Sequence, residues 1–215
     1  MKVLAVGDIH GCFYTFKKFL ETYWNKKNEF LVITGDIINK GPHSCEALLY
    51  YFELKKEYPY QVFLLRGNHE QDFLNSLNSN KSNGYKKLVS QLKAEGVGKQ
   101  KLIDWLENLP FKWETPHMLI SHAGISEKAK HPYSASSANG VLYNRTALKD
   151  VGKVQVHGHD VLQSDQPHFN KKSNSWNVDT GAWTGKYLSG IRLTQKGKFK
   201  EFVQEKMHPA DFTRK

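Results

Sequence analysis

KVLAVGDIHG, Lys2 to Gly11, is the stretch from which the rest of the chain can be read. Its apolar run Val3-Leu4-Ala5-Val6 predicts a buried strand. Asp8 and His10 flank a single residue, so both can project from one tight turn, and Gly7 and Gly11 give that turn its backbone freedom. The same arrangement recurs down the chain. Glu29 to Thr34 (EFLVIT) runs into Gly35-Asp36, and Gln61 to Leu65 (QVFLL) runs into Arg66-Gly67-Asn68-His69-Glu70. Met118 to Ser121 delivers His122, and Lys153 to Val156 delivers His157-Gly158-His159. Phe13, Phe16, Leu20 and Tyr23 predict a helix over Phe13 to Trp24. Pro42 suits the start of another, with Ala47, Leu48, Tyr51 and Leu54 on its apolar face. Strand, loop and helix in repetition predict an α/β fold with parallel strands. Ligands in such sheets lie outside the carboxyl ends of the strands, which brings these loops to one place.

The middle of the chain breaks the pattern. Asn75 to Gly84 reads as a polar loop, and Tyr85 to Glu95 and Lys99 to Asn108 read as helices. With the Ser- and Ala-rich segment Ile125 to Gly140, residues 75–140 read as a helical and loop insertion, or cap, over the sheet. Gln163 to Ser175 reads as a loop. Trp176 to Asp179 and Tyr187 to Leu193 read as a closing antiparallel pair, Lys200 to Gln204 as an edge strand, and residues 205–215 as a tail. The expectation is a single domain over residues 1–215.

The formal net charge of +10 and a pI of about 9.4 favour polyanionic partners. The basic residues form only short pairs, such as Lys17-Lys18 and Lys171-Lys172, which argues against a dedicated nucleic-acid module. No apolar run approaches the roughly 20 residues that span a bilayer, and the N-terminus shows no secretory leader pattern. Cys12 and Cys45 fit no zinc spacing and read as free thiols of a reducing compartment, so the expected location is cytoplasmic.

Asp8, His10, Asp36, Asn68, His122 and His159 are the candidate metal ligands. They offer oxygen and imidazole donors without a thiolate, which suits Mn, with Fe, Zn, Co or Mg as alternatives. Six ligands exceed what one open catalytic ion needs and suit two divalent ions bridged by a carboxylate. Such a pair, about 3.5–4 Å apart, activates a water and clamps a phosphoryl oxygen. Arg66 and Arg145 are candidate phosphate-binding forks, and Lys40 is a candidate point charge. His69, beside Asn68, is placed to protonate a leaving oxygen. Glu70 reads as a helix-start carboxylate, Asp179 and His157 as structural, and Asp160 as an orienting group. His43, His117, His131, His168 and His208 read as solvated.

GDIHG, Gly35-Asp36 followed by Gly41-Pro42, RGNHE, SHAG and a late Gly-His resemble the signature of the calcineurin-like metallophosphoesterases, within them the phosphoprotein phosphatase group. The resemblance covers Lys2 to about Leu193. It implies a four-layer α/β/β/α sandwich with Asp8 and His10 on the first metal, Asp36 bridging, and Asn68, His122 and His159 on the second. It also implies His69 as general acid, a bridging hydroxide as nucleophile, and Arg66 and Arg145 as phosphate grips. The second motif departs from the group's usual GDxxDRG, because Asn39 and Lys40 stand where Asp and Arg are usual. Asn39 cannot stabilise an imidazolium as an aspartate does, and Lys40 lacks the fork. GDxxNKGP resembles the ApaH-like phosphatases, which act on phosphoanhydrides: dinucleoside polyphosphates, capped RNA 5′ ends or polyphosphate. A phosphate leaving group is less basic than an alkoxide and needs less help from a charged acid. The alternatives are a lambda-type Ser/Thr protein phosphatase or broad phosphomonoesterase acting on phosphoproteins, and a non-catalytic scaffold.

Overall fold

The computed structural model describes residues 1–79 and 84–212. Strand β1 (Lys2–Val6) sits at the centre of a five-stranded sheet. It pairs in parallel with β2 (Glu29–Ile33), which pairs in parallel with β3 (Val62–Leu64). On its other side β1 meets β9 (Tyr187–Thr194), which runs antiparallel to both β1 and β10 (Phe199–Lys206). The pleat of β1 explains its apolar run Val3 to Val6, since successive side chains serve different cores. Leu4 and Val6 pack with the helices, whereas Val3 and Ala5 face a second sheet.

The helical layer comprises α1 (Phe13–Tyr23), α2 (Ser44–Glu57), α3 (Asn68–Ser79), α4 (Lys86–Ala94) and α5 (Lys99–Glu107). The second sheet has the order β4-β5-β6-β8-β7. Its strands are β4 (Lys112–Glu114), β5 (Met118–Ser121), β6 (Val154–His157), β7 (His168–Asn170) and β8 (Ser175–Asn177). Met118, Ile120, Val156 and Val178 meet Val3, Ala5, Val32, Ile191 and Leu193 between the sheets. Across its outer face, Leu119 packs with Ile125 and Val141, so that layer is irregular chain where the resemblance implied helix.

The α/β sandwich matches the sequence-based expectation, and five local readings do not. Asn75 to Ser79 continue α3, while residues 80–83 of the expected loop lie outside the described residues. Residues 75–140 are not one cap. Leu88, Leu92, Leu102 and Leu106 are buried in the main helical core, and β4 and β5 belong to the second sheet. Trp176 and Tyr187 do not begin a hairpin, since β8 lies in the second sheet and β9 in the first. Period-2 patterning specifies which residues are buried but not which sheet buries them. The loop Gln163 to Ser175 contains β7, which pairs antiparallel with β8. Finally, Glu205 and Lys206 belong to β10, and Asp211 is fully buried, accepting from the backbone and hydroxyl of Thr15 at the start of α1. The expected tail is thus docked as far as Asp211; residues 213–215 lie outside the described residues. Among the described residues, no helix is long and apolar enough to cross a membrane.

Candidate active site

Each strand that lies parallel to a neighbour ends in a polar residue at the same edge of the sandwich. From the first sheet, β1 leads to Asp8 and His10, β2 to Asp36, and β3 to Asn68. From the second, β5 leads to His122, β6 to His159, and β8 to Asp179. Asp8, His10, Asp36, His122, His159 and Asp179 are all buried. Asp36 is the hub. Its Oδ2 lies 3.6 Å from His10 Nε2, 3.5 Å from His122 Nε2 and 3.8 Å from His69 Nε2. His122 Nε2 is 3.0 Å from both Asn68 Oδ1 and His159 Nδ1. Asp8 joins through the amide of His159, which donates to its Oδ2 at 3.1 Å, and lies 3.9 Å from His10 Nε2. The six expected ligands are therefore brought together.

Backbone geometry holds them there at a cost. His10, Asp36 and His159 adopt φ of 49°, 50° and 71°, the left-handed region that non-glycine residues avoid. Each such residue costs on the order of 1–3 kcal/mol, and such strain gathers at functional sites. Gly67 and Gly158 permit the crowding. A Cβ on Gly67 would collide with the Asp36 carboxylate, and one on Gly158 with that of Asp8.

The electrostatics point to a cation. Burial, then Asp179 and Asp36, raise the pKa of Asp8; burial and then Glu70 raise that of Asp36. Burial and neighbouring cations depress His10 and His159 to about 3, and His122 is lowered as well. Neutral imidazoles thus turn lone pairs towards a cluster of crowded carboxylates. His10 Nδ1 pairs with Ile38 O and His122 Nδ1 with Thr34 O, which leaves each Nε2 facing inward. Asp179 Oδ2 and His159 Nε2 are buried without partners. Two ligand groups form around the shared Asp36: His10, Asp36 and His69, and Asp36, His122 and His159. This donor set fits divalent cations of the harder transition series.

Two carboxylates carry more than the sequence indicated. Glu70 is fully buried. Its Oε2 accepts from the amides of Asp36 (2.7 Å) and Gly67 (2.9 Å), and its Oε1 from that of Ile37 (3.0 Å). It therefore ties the β2 and β3 loops together. Burial pushes its carboxyl up to about 7. Asp179 was read as structural, yet it enters the cluster from β8 and is raised to about 6 by burial. An acid just after a strand and two residues before Gly181 was its signal in the sequence.

The expected substrate-facing residues divide. Lys40 is exposed, with Nζ 4.5 Å above the Trp183 ring, and Trp183 meets His10 edge-on at 6.1 Å. Trp183 went unread in the sequence. Arg145 sits on the rim, paired with Asp160. Arg66 is committed elsewhere: Nη1 donates to Gln71 Oε1 at 3.0 Å, Nη2 to Glu107 O at 2.6 Å, and its guanidinium lies over Phe111. Asn39 lines the cleft beside His69, but His69 Nδ1 has no partner. His43, read as solvated, is half-buried and bonded to Glu46 and Ala210 O. Cys12 and Cys45 are free and buried.

Carboxylates and imidazoles converging from parallel strand ends of a two-sheet sandwich form a buried cluster that could hold metal ions. The model of the calcineurin-like phosphoesterases matches residues 1–190, and the chain belongs to that family. The family implies divalent metal ions. Among curated relatives, the chain is 30% identical to a symmetrical bis(5′-nucleosyl)-tetraphosphatase of Buchnera aphidicola, over 83% of this chain and 61% of that protein. It is 24% identical to an asymmetrical bis(5′-nucleosyl)-tetraphosphatase of Oceanobacillus iheyensis, over 94% and 91%. The chain thus spans less than two thirds of the symmetrical relative. Among solved structures, a protein serine/threonine phosphatase of Saccharomyces cerevisiae shares the fold with a TM-score of 0.67 at 19% identity, covering 97% of this chain and 81% of that one. A cold-active protein-tyrosine phosphatase of Shewanella does so with a TM-score of 0.64 at 19% identity, covering 96% and 80%.

Proposed function

We propose that this protein is a divalent-metal-dependent hydrolase of phosphoanhydrides that takes dinucleoside polyphosphates, with capped RNA ends and polyphosphate as chemically related substrates. Two ions, Mn foremost, are the proposed complement, shared by Asp36. Asp8 and His10 hold one side, and Asn68, His122 and His159 hold the other. Bound there, such ions supply an activated water and Lewis-acid charge for attack on phosphorus. The remaining work falls to the chain. Lys40 and Arg145 offer cationic charge at the rim for the non-bridging oxygens. His69 offers Nε2 beside Asp36, where it can donate a hydrogen bond to the departing oxygen.

The observation that carries the anhydride reading is the bare Nδ1 of His69. Asn39 lines the same cleft, and among the described residues nothing bonds that Nδ1, where a carboxylate would support an imidazolium; the Asp36 carboxylate lies by Nε2 instead, at 3.8 Å. An alkoxide leaving group needs a proton in the transition state; a phosphate leaves with only hydrogen-bond help. The tetraphosphatase names of the two curated relatives support the same choice. The test is a panel of diadenosine tetraphosphate, capped RNA, polyphosphate and a phosphopeptide, each with Mn²⁺ and again after chelation. Metal-dependent turnover is expected, greatest on the dinucleotide. Preferred turnover of the phosphopeptide would establish the protein phosphatase alternative instead.

A further inference from the structure

A cleft of about 550 Å³ opens beside His69, the residue proposed above to assist the departing oxygen. Asn39, His69, Asp72, Asn75 and Tyr85 are among its lining residues, with hydroxyl-bearing serines further along α3. Among the described residues that line it, none is Lys or Arg, and one is acidic. The described residues of this wall thus offer a bare phosphate tail no cation. Its size falls within the range of small-molecule sites.

The hydrogen-bond roles along this wall are fixed. Arg66 Nη1 donates to Gln71 Oε1, and Gln71 Nε2 donates to Asn75 Oδ1, both at 3.0 Å. The Asn75 carbonyl is thereby used, and its amide N–H groups remain as donors. Asp72 lies three residues earlier on α3, hence on the same helix face. Its Oδ1 accepts from Tyr143 OH at 3.4 Å, and Oδ2 has no donor among the described residues. The wall thus presents a charged acceptor and an amide donor about one helical turn apart. Arg66, which the sequence assigned to phosphate, acts here by holding the donor in place.

Resting on the anhydride reading above, we infer that this cleft binds the ribonucleoside of the departing nucleotide, with Asp72 accepting from ribose hydroxyls and Asn75 donating to the sugar or base. A ribose diol supplies two adjacent hydroxyl donors for a carboxylate, and an ionised phosphate tail supplies none. Asp72 is a specificity-determining residue in this account.

The experiment measures binding by calorimetry, with Mn²⁺ present, of a methylene-bridged diadenosine tetraphosphate and of its 2′,3′-dideoxy counterpart. Wild type is expected to prefer the ribose form by about tenfold, as for a hydrogen bond to a charged acceptor. Asp72→Ala, at an exposed position, should abolish that preference, and inorganic tripolyphosphate should bind wild type more weakly than either dinucleotide. Equal affinity of wild type for the two dinucleotides, or an unchanged preference in Asp72→Ala, would overturn the inference. Cleavage of unmodified diadenosine tetraphosphate, followed in parallel, separates the two readings. Hydrolysis without ribose preference sinks the cleft alone, and ribose preference without hydrolysis sinks the anhydride reading alone. A capped RNA oligomer in a further arm shows whether the favoured nucleoside belongs to a free dinucleotide or to an RNA end.

Discussion

Asp36 and Asp72 are both aspartates bordering the His69 region, and their surroundings share almost nothing. Asp36 is 2% exposed and left-handed in backbone; its amide is tied to Glu70, and its carboxylate accepts from the amide of His69. Asp72 is exposed on a regular helix and makes one long bond to a tyrosine. The cradle around Asp36 is over-determined, with loops from two sheets, strained backbone and glycines that leave no slack. The wall around Asp72 is built on an ordinary helix face whose side chains can change without moving the backbone. Changes in the cradle should therefore alter chemistry and stability together, whereas changes in the wall should alter selectivity alone.

The sharpest way to break this contrast is Asp36→Asn. It should lower metal-dependent turnover on the order of 10³-fold, equivalent to about 4 kcal/mol of barrier. It should also abolish the rise in melting temperature that saturating Mn²⁺ gives the wild type, expected at several degrees from mass action. Near-wild-type rates would mean that the hub is misassigned. Glu70→Gln comes next. A glutamine cannot accept from the amides of Asp36, Gly67 and Ile37 with both terminal atoms, so at least one buried donor loses its partner. Thermal denaturation should show a loss of about 1–3 kcal/mol. An unchanged melting temperature would show that the loops hold without that tie.

At the border between the two regions, Asn39→Asp places a carboxylate beside the bare Nδ1 of His69. It should raise phosphomonoester turnover relative to anhydride turnover, by about tenfold if a supported imidazolium restores part of the usual acid term. A constant ratio would detach Asn39 from substrate choice. The smallest effect belongs to Trp183→Leu. Loss of the ring beneath Lys40 removes a cation–π contact of about 0.5–1 kcal/mol, so KM should rise roughly two- to fivefold with little change in kcat. A fall in kcat with constant KM would place Trp183 with the chemistry of His10 instead.

Much of the cradle could be read in the sequence because each candidate ligand follows a short apolar run and all but His122 lie beside a glycine or one residue from it at a strand end. Strand ends and tight turns are local properties, and Asp8, His10, Asp36, Asn68, His122 and His159 inherit their positions from them. Glu70 and Asp179 occupy similar places but were underread, because their partners are backbone amides and buried carboxylates that only the folded chain brings near. Arg66 stands differently. Its motif is local, but its partners, Gln71 and the carbonyl of Glu107, depend on where α5 ends. The crossing from β8 to β9 was also illegible. Alternation marks a buried strand equally well in either sheet, and only the residues Asp179 to Gly185 between them, with Gly181 and Gly185 at φ of 76° and 93°, redirect the chain.

That crossing sets a timetable for biosynthesis. During translation β1 emerges first and acquires β2 and β3, but its other edge stays unpaired until β9 arrives from near the C-terminal end. A half-made chain therefore exposes a strand edge together with Val3 and Ala5, the kind of surface that invites aggregation. His159, 151 residues after Asp8, is made before β9. A chain stalled before Tyr187 therefore carries every candidate ligand, from Asp8 to His159, without the strand that closes the sheet beside β1.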